Sequence, residues 1–295
     1  MNAPKTNPSK AKEIMLNPDD FKNAIQAIDG LGATPAVLVK TSELVNDPNA
    51  DIGSICALLR CDGALAADII RIANSPYYAP AFYHSNLNGA VSQIGLREVN
   101  RVVSLSLARQ LFARDLHSYG VSAFAYWSES VASALVMEAL AKLCGLNVED
   151  AYTIGILQAI GRVLINHVIE EQGFTIYWDG KEPINEWERR SVGFDFAEAG
   201  AMLLEHWRFP APTCDVLRWQ LDAEKVADQA SLLGLLEFTH RLLAMTGSDF
   251  DNKEWSLSGG DPFAQTVGLT HEAASQIITN CRRDFQSILQ SVDLT

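Results

Sequence analysis

Closely spaced metal-binding pairs are missing from this chain of 295 residues. Its five cysteines, Cys56, Cys61, Cys144, Cys214 and Cys281, form no CxxC, and its six histidines form no HExxH or HxxxH. A structural zinc site needs four N or S donors at short spacings, and a zincin needs two histidines one helical turn apart, so both classes are excluded. The odd, scattered cysteines read as reduced thiols of a cytoplasmic protein, used as small apolar fillers. Even the nearest pair, Cys56 and Cys61, would face different sides of one helix. No uninterrupted apolar run reaches the roughly 18 residues of a bilayer span. The opening MNAPKTNPSKAKEI lacks the apolar centre of a secretion signal and reads as a disordered tail over residues 1–14. Basic residues are scarce, 23 against 36 acidic ones, for a net charge of -13. Polyanion binding draws its affinity from phosphate neutralisation, so nucleic acid is excluded as the main partner and no membrane partner is expected. No GxSxG elbow occurs, and the glycines of GFDFAEAG and LSGGDP lack the strand–loop–helix setting of a phosphate loop.

What fills the chain is helical periodicity. ADIGSICALLRCD places Ile52, Ile55, Leu58 and Leu59 on one face, and GALAADIIRIANS repeats the pattern with Leu65, Ile69 and Ile72. FAYWSESVASALVMEALAKLCG is a long helix stopping at Gly145. NVEDAYTIGILQAIGRVLINHVIEEQG is one long helix, or a short helix leading into another, with the small Gly161 allowing close packing. THEAASQIITNCRRDFQSILQSV begins at Thr270 as N-cap. FTIYWDGKEPI is either a small hairpin around Asp179-Gly180 or an irregular loop. These patterns predict an all-α fold. A division near residues 115–122 separates lobes spanning 15–118 and 119–295.

TPAVLVKTSELVNDPNADIGSICALLRCDGALAADIIRIANSPYY followed by SNLNGAVSQIGLREVNRVV resembles the HDOD family, bacterial signalling domains related to the HD phosphohydrolases. The matching positions include Pro35, Asp62, Asn74-Ser75, Ala90 and Ile94-Gly95; Gly63 departs, because the family usually has Pro there. Asp62, Asn74, Ser75 and Gly95 have ordinary structural roles: capping, ending a helix and bonding loop backbone. The likeness runs over roughly residues 30 to 290 and implies an N-terminal helical bundle followed by a degenerate HD-like lobe.

The resemblance locates the metal positions of a catalytic relative and shows what stands there. Glu129 occupies the first histidine position, Gln158-Ala159 the central His-Asp pair, and His240 the distal aspartate. Phe196 and Gln220-Leu221 replace further histidines. Alanine coordinates nothing and amides hold transition metals poorly, so no metal, cofactor or catalytic residue is expected. The implied function is a non-catalytic signalling module whose partner is a histidine kinase, response regulator or cyclic-di-nucleotide enzyme. Two alternatives stand beside it. One is a sensor in which a nucleotide second messenger enters a pocket lined by Gln158, Glu129, His240 and Gln220, unless Phe196 and Leu221 fill it. The other is a residual metal-dependent phosphohydrolase. Arg97 and Arg101 share a helix face, either paired locally with Glu98 or Asp115 or docking a partner. Tyr77, Tyr78, Phe82 and Tyr83 either plug a seam or meet that partner. Trp127, Trp207 and Trp219 read as core. Oligomeric state is not set by any of these features.

Overall fold

The computed structural model describes residues 35–291, apart from 76–77, 79–81, 174–175, 227 and 251–254, together with residues 23 and 25. The proposed tail, residues 1–14, and Tyr77 lie outside the described residues. Five helices form the N-terminal half: α1 (Pro35–Asn46), α2 (Ile52–Leu59), α3 (Gly63–Ala73), α4 (Leu87–Ile94) and α5 (Leu96–Leu111). A 3₁₀ turn at His117–Tyr119 leads to α6 (Ala123–Cys144), α7 (Val148–Leu157) and α8 (Gly161–Glu171). Then come α9 (Ile184–Val192), α10 (Phe196–His206), α11 (Ala211–Trp219), α12 (Leu232–Thr246), α13 (Pro262–Val267) and α14 (His271–Ser291). The fold is all-α. No strand occurs among the described residues, and over 176–183 the hairpin alternative gives way to a loop held by Trp178, whose backbone N–H donates to Ser118 O at 2.8 Å.

Side-chain caps set most helix starts. Asp51, Asp62, Asn86, Ser122, Asn147 and Ser231 each accept a first-turn backbone N–H, and Asp195 with Glu198 forms a full capping box. Thr270 Oγ1 accepts from Ala273 N at 3.2 Å, as a cap would. Gly95 joins α4 to α5 without an intervening residue, which its φ of 83° permits and a Cβ would strain.

Helix α6 is the hub of the C-terminal half and packs against α7, α12 and α14. It is buried nearly all round, from Val131 and Leu135 to Met137 and Leu140, as a central core helix must be. The segment after it breaks at residues 158–160 into α7 and α8. Two side chains satisfy carbonyls at the break: Tyr126 donates its hydroxyl to Ala159 O, and Gln220 donates Nε2 to Gln158 O at 2.9 Å.

Asn74 works as a clamp at the end of α3. Its Nδ2 donates to Ile70 O and His84 O, both at 2.8 Å, while its Oδ1 accepts from His84 N at 2.8 Å. At about 1 kcal/mol net for each such bond, Asn74→Ala is expected to cost about 2–3 kcal/mol. Urea unfolding would show this as a lower midpoint at unchanged slope. A loss of under about 0.5 kcal/mol would remove the clamp from the account.

Candidate functional site

Five helices and three connecting segments converge on a cavity of about 380 Å³. Helix α6 contributes Glu129, the 158–160 break Gln158, α8 Arg162, α10 Phe196 and α12 His240, with Leu221 and Ser248 from loops. Gln158 Oε1 and His240 Nε2 are 3.2 Å apart; an amide oxygen only accepts, so the ring donates from Nε2. Burial, and then the nearby Arg162 charge, push His240 down to about 4, so it is neutral at pH 7.

Not every residue expected in the lining is there. Ala159 is buried behind the wall, and Gln220, also buried, donates to Gln158 O and Leu217 O rather than facing the cavity. Phe196 and Leu221 do line it but do not fill it. Arg162 was missed. Its guanidinium lies over the Phe196 ring at 4.4 Å, and its Nε is buried without a hydrogen-bond partner. The available signal was a lone cation inside the apolar run GILQAIGRVLINHV.

A catalytic metal fits this lining poorly. Hydrolytic sites take three or more imidazole or carboxylate donors, and here only Glu129 and His240 are of that kind. The His240 Nε2 is already committed to Gln158, and a fixed guanidinium would repel a cation. Among the described residues no group of three His, Cys, Asp or Glu is placed to hold a metal.

Behind Phe196 lies a buried carboxylate. Glu188 Oε2 accepts from Phe196 N and Oε1 from the Tyr119 hydroxyl, each at 2.9 Å. Desolvation pushes Glu188 up to about 7 against the lowering effects of those two bonds and of Arg162.

A second cleft, about 290 Å³, opens between α5, α6 and α7 and contains the two arginines proposed for docking. Arg97 pairs with Glu149 at 3.2 Å and keeps 83% of its side chain exposed. Arg101 is different: 11% exposed, it pairs with Glu138 at 3.3 Å and lies over the Tyr152 ring at 5.1 Å. It is an interior ion-pair residue, not a surface one, because Glu138 and Tyr152 enclose it. The expected local acceptors are occupied by other donors, Glu98 by the Tyr78 hydroxyl at 2.7 Å and Asp115 by Ala123 N at 2.8 Å.

Phe82 and Tyr83 are 81% and 79% exposed, so they do not plug a seam. The Asn74 clamp on His84 fixes the chain immediately after them. Trp127 and Trp207 are core, but Trp219 is 38% exposed and carries Lys225 over its ring at 4.8 Å.

A sequence model described as the HDOD domain matches residues 31–223, short of the 290 expected. An uncharacterised protein of Treponema pallidum (strain Nichols) is 24% identical over 198 residues, 65% of this chain. That stretch spans only 38% of the Treponema protein. Among solved structures, an HDOD domain protein of unknown function from Geobacter sulfurreducens superposes with a TM-score of 0.64 at 21% identity. The superposition covers 90% of this chain and 97% of that one, which carries the shared fold past residue 223. A Shewanella amazonensis protein bearing the provisional name of a phosphohydrolase gives 0.61 at 20% identity, covering 92% and 98%. A Marinobacter aquaeolei VT8 protein provisionally named for signal transduction gives 0.64 at 20% identity, covering 92% and 64%. With its matching segment covering well over half its length, the chain belongs to the HDOD domain family.

Proposed function

We propose that this protein is a non-catalytic signal-transduction module that acts by holding a protein partner. The lobe spanning 15–118 docks the partner, and the HD-like lobe spanning 119–295 supports it. The observation that carries the reading is the exposed Phe82–Tyr83 pair presented on a clamped loop. Solvent-facing adjacent aromatics cost hydration, and fixing the backbone beside them lowers the entropy lost on docking. The donor-poor cavity supports the non-catalytic half of the reading, and the name of the Marinobacter neighbour agrees with a signalling role. The partner class is the family's: a histidine kinase, response regulator or cyclic-di-nucleotide enzyme. Arg97, still largely exposed, sits on the same lobe as a secondary contact.

Cross-linking pull-down from the native host, with mass spectrometry, tests this directly. The wild type is expected to recover such a protein, and the Phe82→Ser/Tyr83→Ser variant to lose it while keeping its thermal midpoint. Equal recovery by both baits would move the docking face elsewhere. Recovery of no signalling protein by the wild type would sink the scaffold reading. A residual phosphohydrolase predicts turnover that Mn²⁺ raises and Glu129→Gln or His240→Gln removes; none is expected with a general phosphodiester or phosphomonoester substrate.

A further inference from the structure

The geometry points to the α6–α8–α10–α12 cavity as a binding site for a nucleoside monophosphate, with Arg162 holding the phosphate. This inference rests on the non-catalytic reading of the cavity and is independent of where a partner docks.

Its starting point is a cation that no carboxylate among the described residues contacts. In a chain of net charge -13, the arginines Arg97, Arg101, Arg109, Arg189 and Arg241 all form ion pairs. Arg162 forms none among the described residues, although it lines a partly apolar cavity. Glu129 lines the same cavity without pairing with it, Glu188 feels its charge from behind Phe196 but is itself pushed up to about 7, and neutral His240 contributes no charge of its own. Leaving a half-buried guanidinium unpaired is costly, and an oxyanion relieves that cost. Contact with the Phe196 ring at 4.4 Å holds the guanidinium at the cavity, and a guanidinium fork favours a planar, two-pronged contact with phosphate or carboxylate oxygens.

The rest of the lining narrows the class. Ile184, Leu221 and Leu243 make an apolar wall suited to a flat heterocycle. Glu129, an acceptor only, asks for a hydroxyl or amino group on the ligand and would repel a second phosphate. One anion, one flat apolar body and one donor describe a nucleoside monophosphate. A volume of about 380 Å³ suits a single nucleotide, since ligand pockets begin at about 300 Å³. A cyclic dinucleotide is too large. The family relation offers this place to a metal, which would bind phosphate through its own charge; here a side chain supplies that charge.

Calorimetric titration of the 295-residue chain with AMP, GMP, CMP and UMP tests the site, with adenosine, guanosine, inorganic phosphate and a cyclic dinucleotide as further arms. At least one monophosphate is expected to saturate at one per chain. Its nucleoside should bind about tenfold more weakly or worse, reflecting loss of the charge-assisted contact. Arg162→Met keeps the stem over Phe196 and should weaken binding by a similar factor. Leu221→Trp narrows the cavity from a position already 41% exposed and should weaken binding without lowering the thermal midpoint, so it decides the matter if the arginine variant fails to fold. Three results would overturn the assignment: no monophosphate bound at millimolar concentration, binding unchanged in both variants, or inorganic phosphate or the cyclic dinucleotide bound as tightly as any monophosphate. Chromatography of the recovered nucleotide separates the two readings: hydrolysis would end the non-catalytic reading, whereas intact nucleotide with no binding would end this one alone.

Discussion

Gly161→Ala is expected to cost about 3 kcal/mol or more, and to leave little soluble, folded protein. A Cβ built on Gly161 would stand 2.0 Å from Phe196 O and 2.6 Å from Gly200 N. Both are backbone atoms of α10, so no rotamer change relieves the contact; one helix must shift against the other. Close-packed interiors resist that, and overpacking already costs about 1–3 kcal/mol where side chains alone must give. The shift would also open the cavity wall, because Phe196 carries both the clash and the ring under Arg162. Gly63 supplies the contrast. A Cβ there meets nothing within 4 Å, and the preceding Asp62 is already extended at φ -124°, ψ 102°, as a residue before proline must be. Gly63→Pro, which puts proline at the first helical position, is therefore expected to stabilise by about 0.4–1 kcal/mol through the unfolded chain. Urea unfolding of the two variants beside the wild type checks both. A tolerated Gly161→Ala would mean that α8 and α10 are not held as close as described.

The second large effect is a pH dependence centred on Glu188. Its carboxyl titrates near 7 in the folded protein and near the ordinary 4.5 when unfolded. Between those values the folded chain keeps a proton that the unfolded chain has released, so stability falls as pH rises from 4.5 to 7. At about 1.4 kcal/mol per pH unit, the full window is worth about 3 kcal/mol. Glu188→Gln has no proton to lose, so relative to wild type it should look about 3 kcal/mol better at pH 8 than at pH 4. The same difference at both pH values would show that Glu188 is not the titrating group. His240 acts in the opposite sense. Its folded value near 4 lies below the ordinary 6.5, so its contribution is present above 6.5 and is lost as pH falls towards 4. His240→Gln should therefore resist acid better than wild type, and the two opposed slopes make the wild-type profile flatter between them than either variant's.

Local rules made the frame legible. Asp62 as a cap, Thr270 as a helix start, Asn74 as a loop binder and Gly161 as a close-packing point all depend on neighbours within a turn or on a missing Cβ. The electrostatics were not legible in the same way. Arg101 and Arg97 look across the fold to Glu138 and Glu149, and no spacing rule connects residues on different helices. Part of the lining turned on side-chain direction: adjacent in the chain, Gln220 turns inward to a carbonyl while Leu221 faces the cavity. Arg162 stayed hidden because an unpaired guanidinium is defined by what does not approach it, and that requires the whole fold.

The break between α7 and α8 bears on how the chain survives its own synthesis. Before α6 and α10 cover it, Val148–Glu171 is a stretch of 24 residues with the length and composition of a membrane span, although 89% of its apolar window is buried once folded. A nascent chain displaying such a segment is a candidate for mistaken insertion into a bilayer. Arg162 lies past its midpoint, where a charged side chain opposes insertion by about 2.5–3.5 kcal/mol. A cation kept in an apolar run thus lowers the tendency of that segment to enter a bilayer before the cavity around it exists.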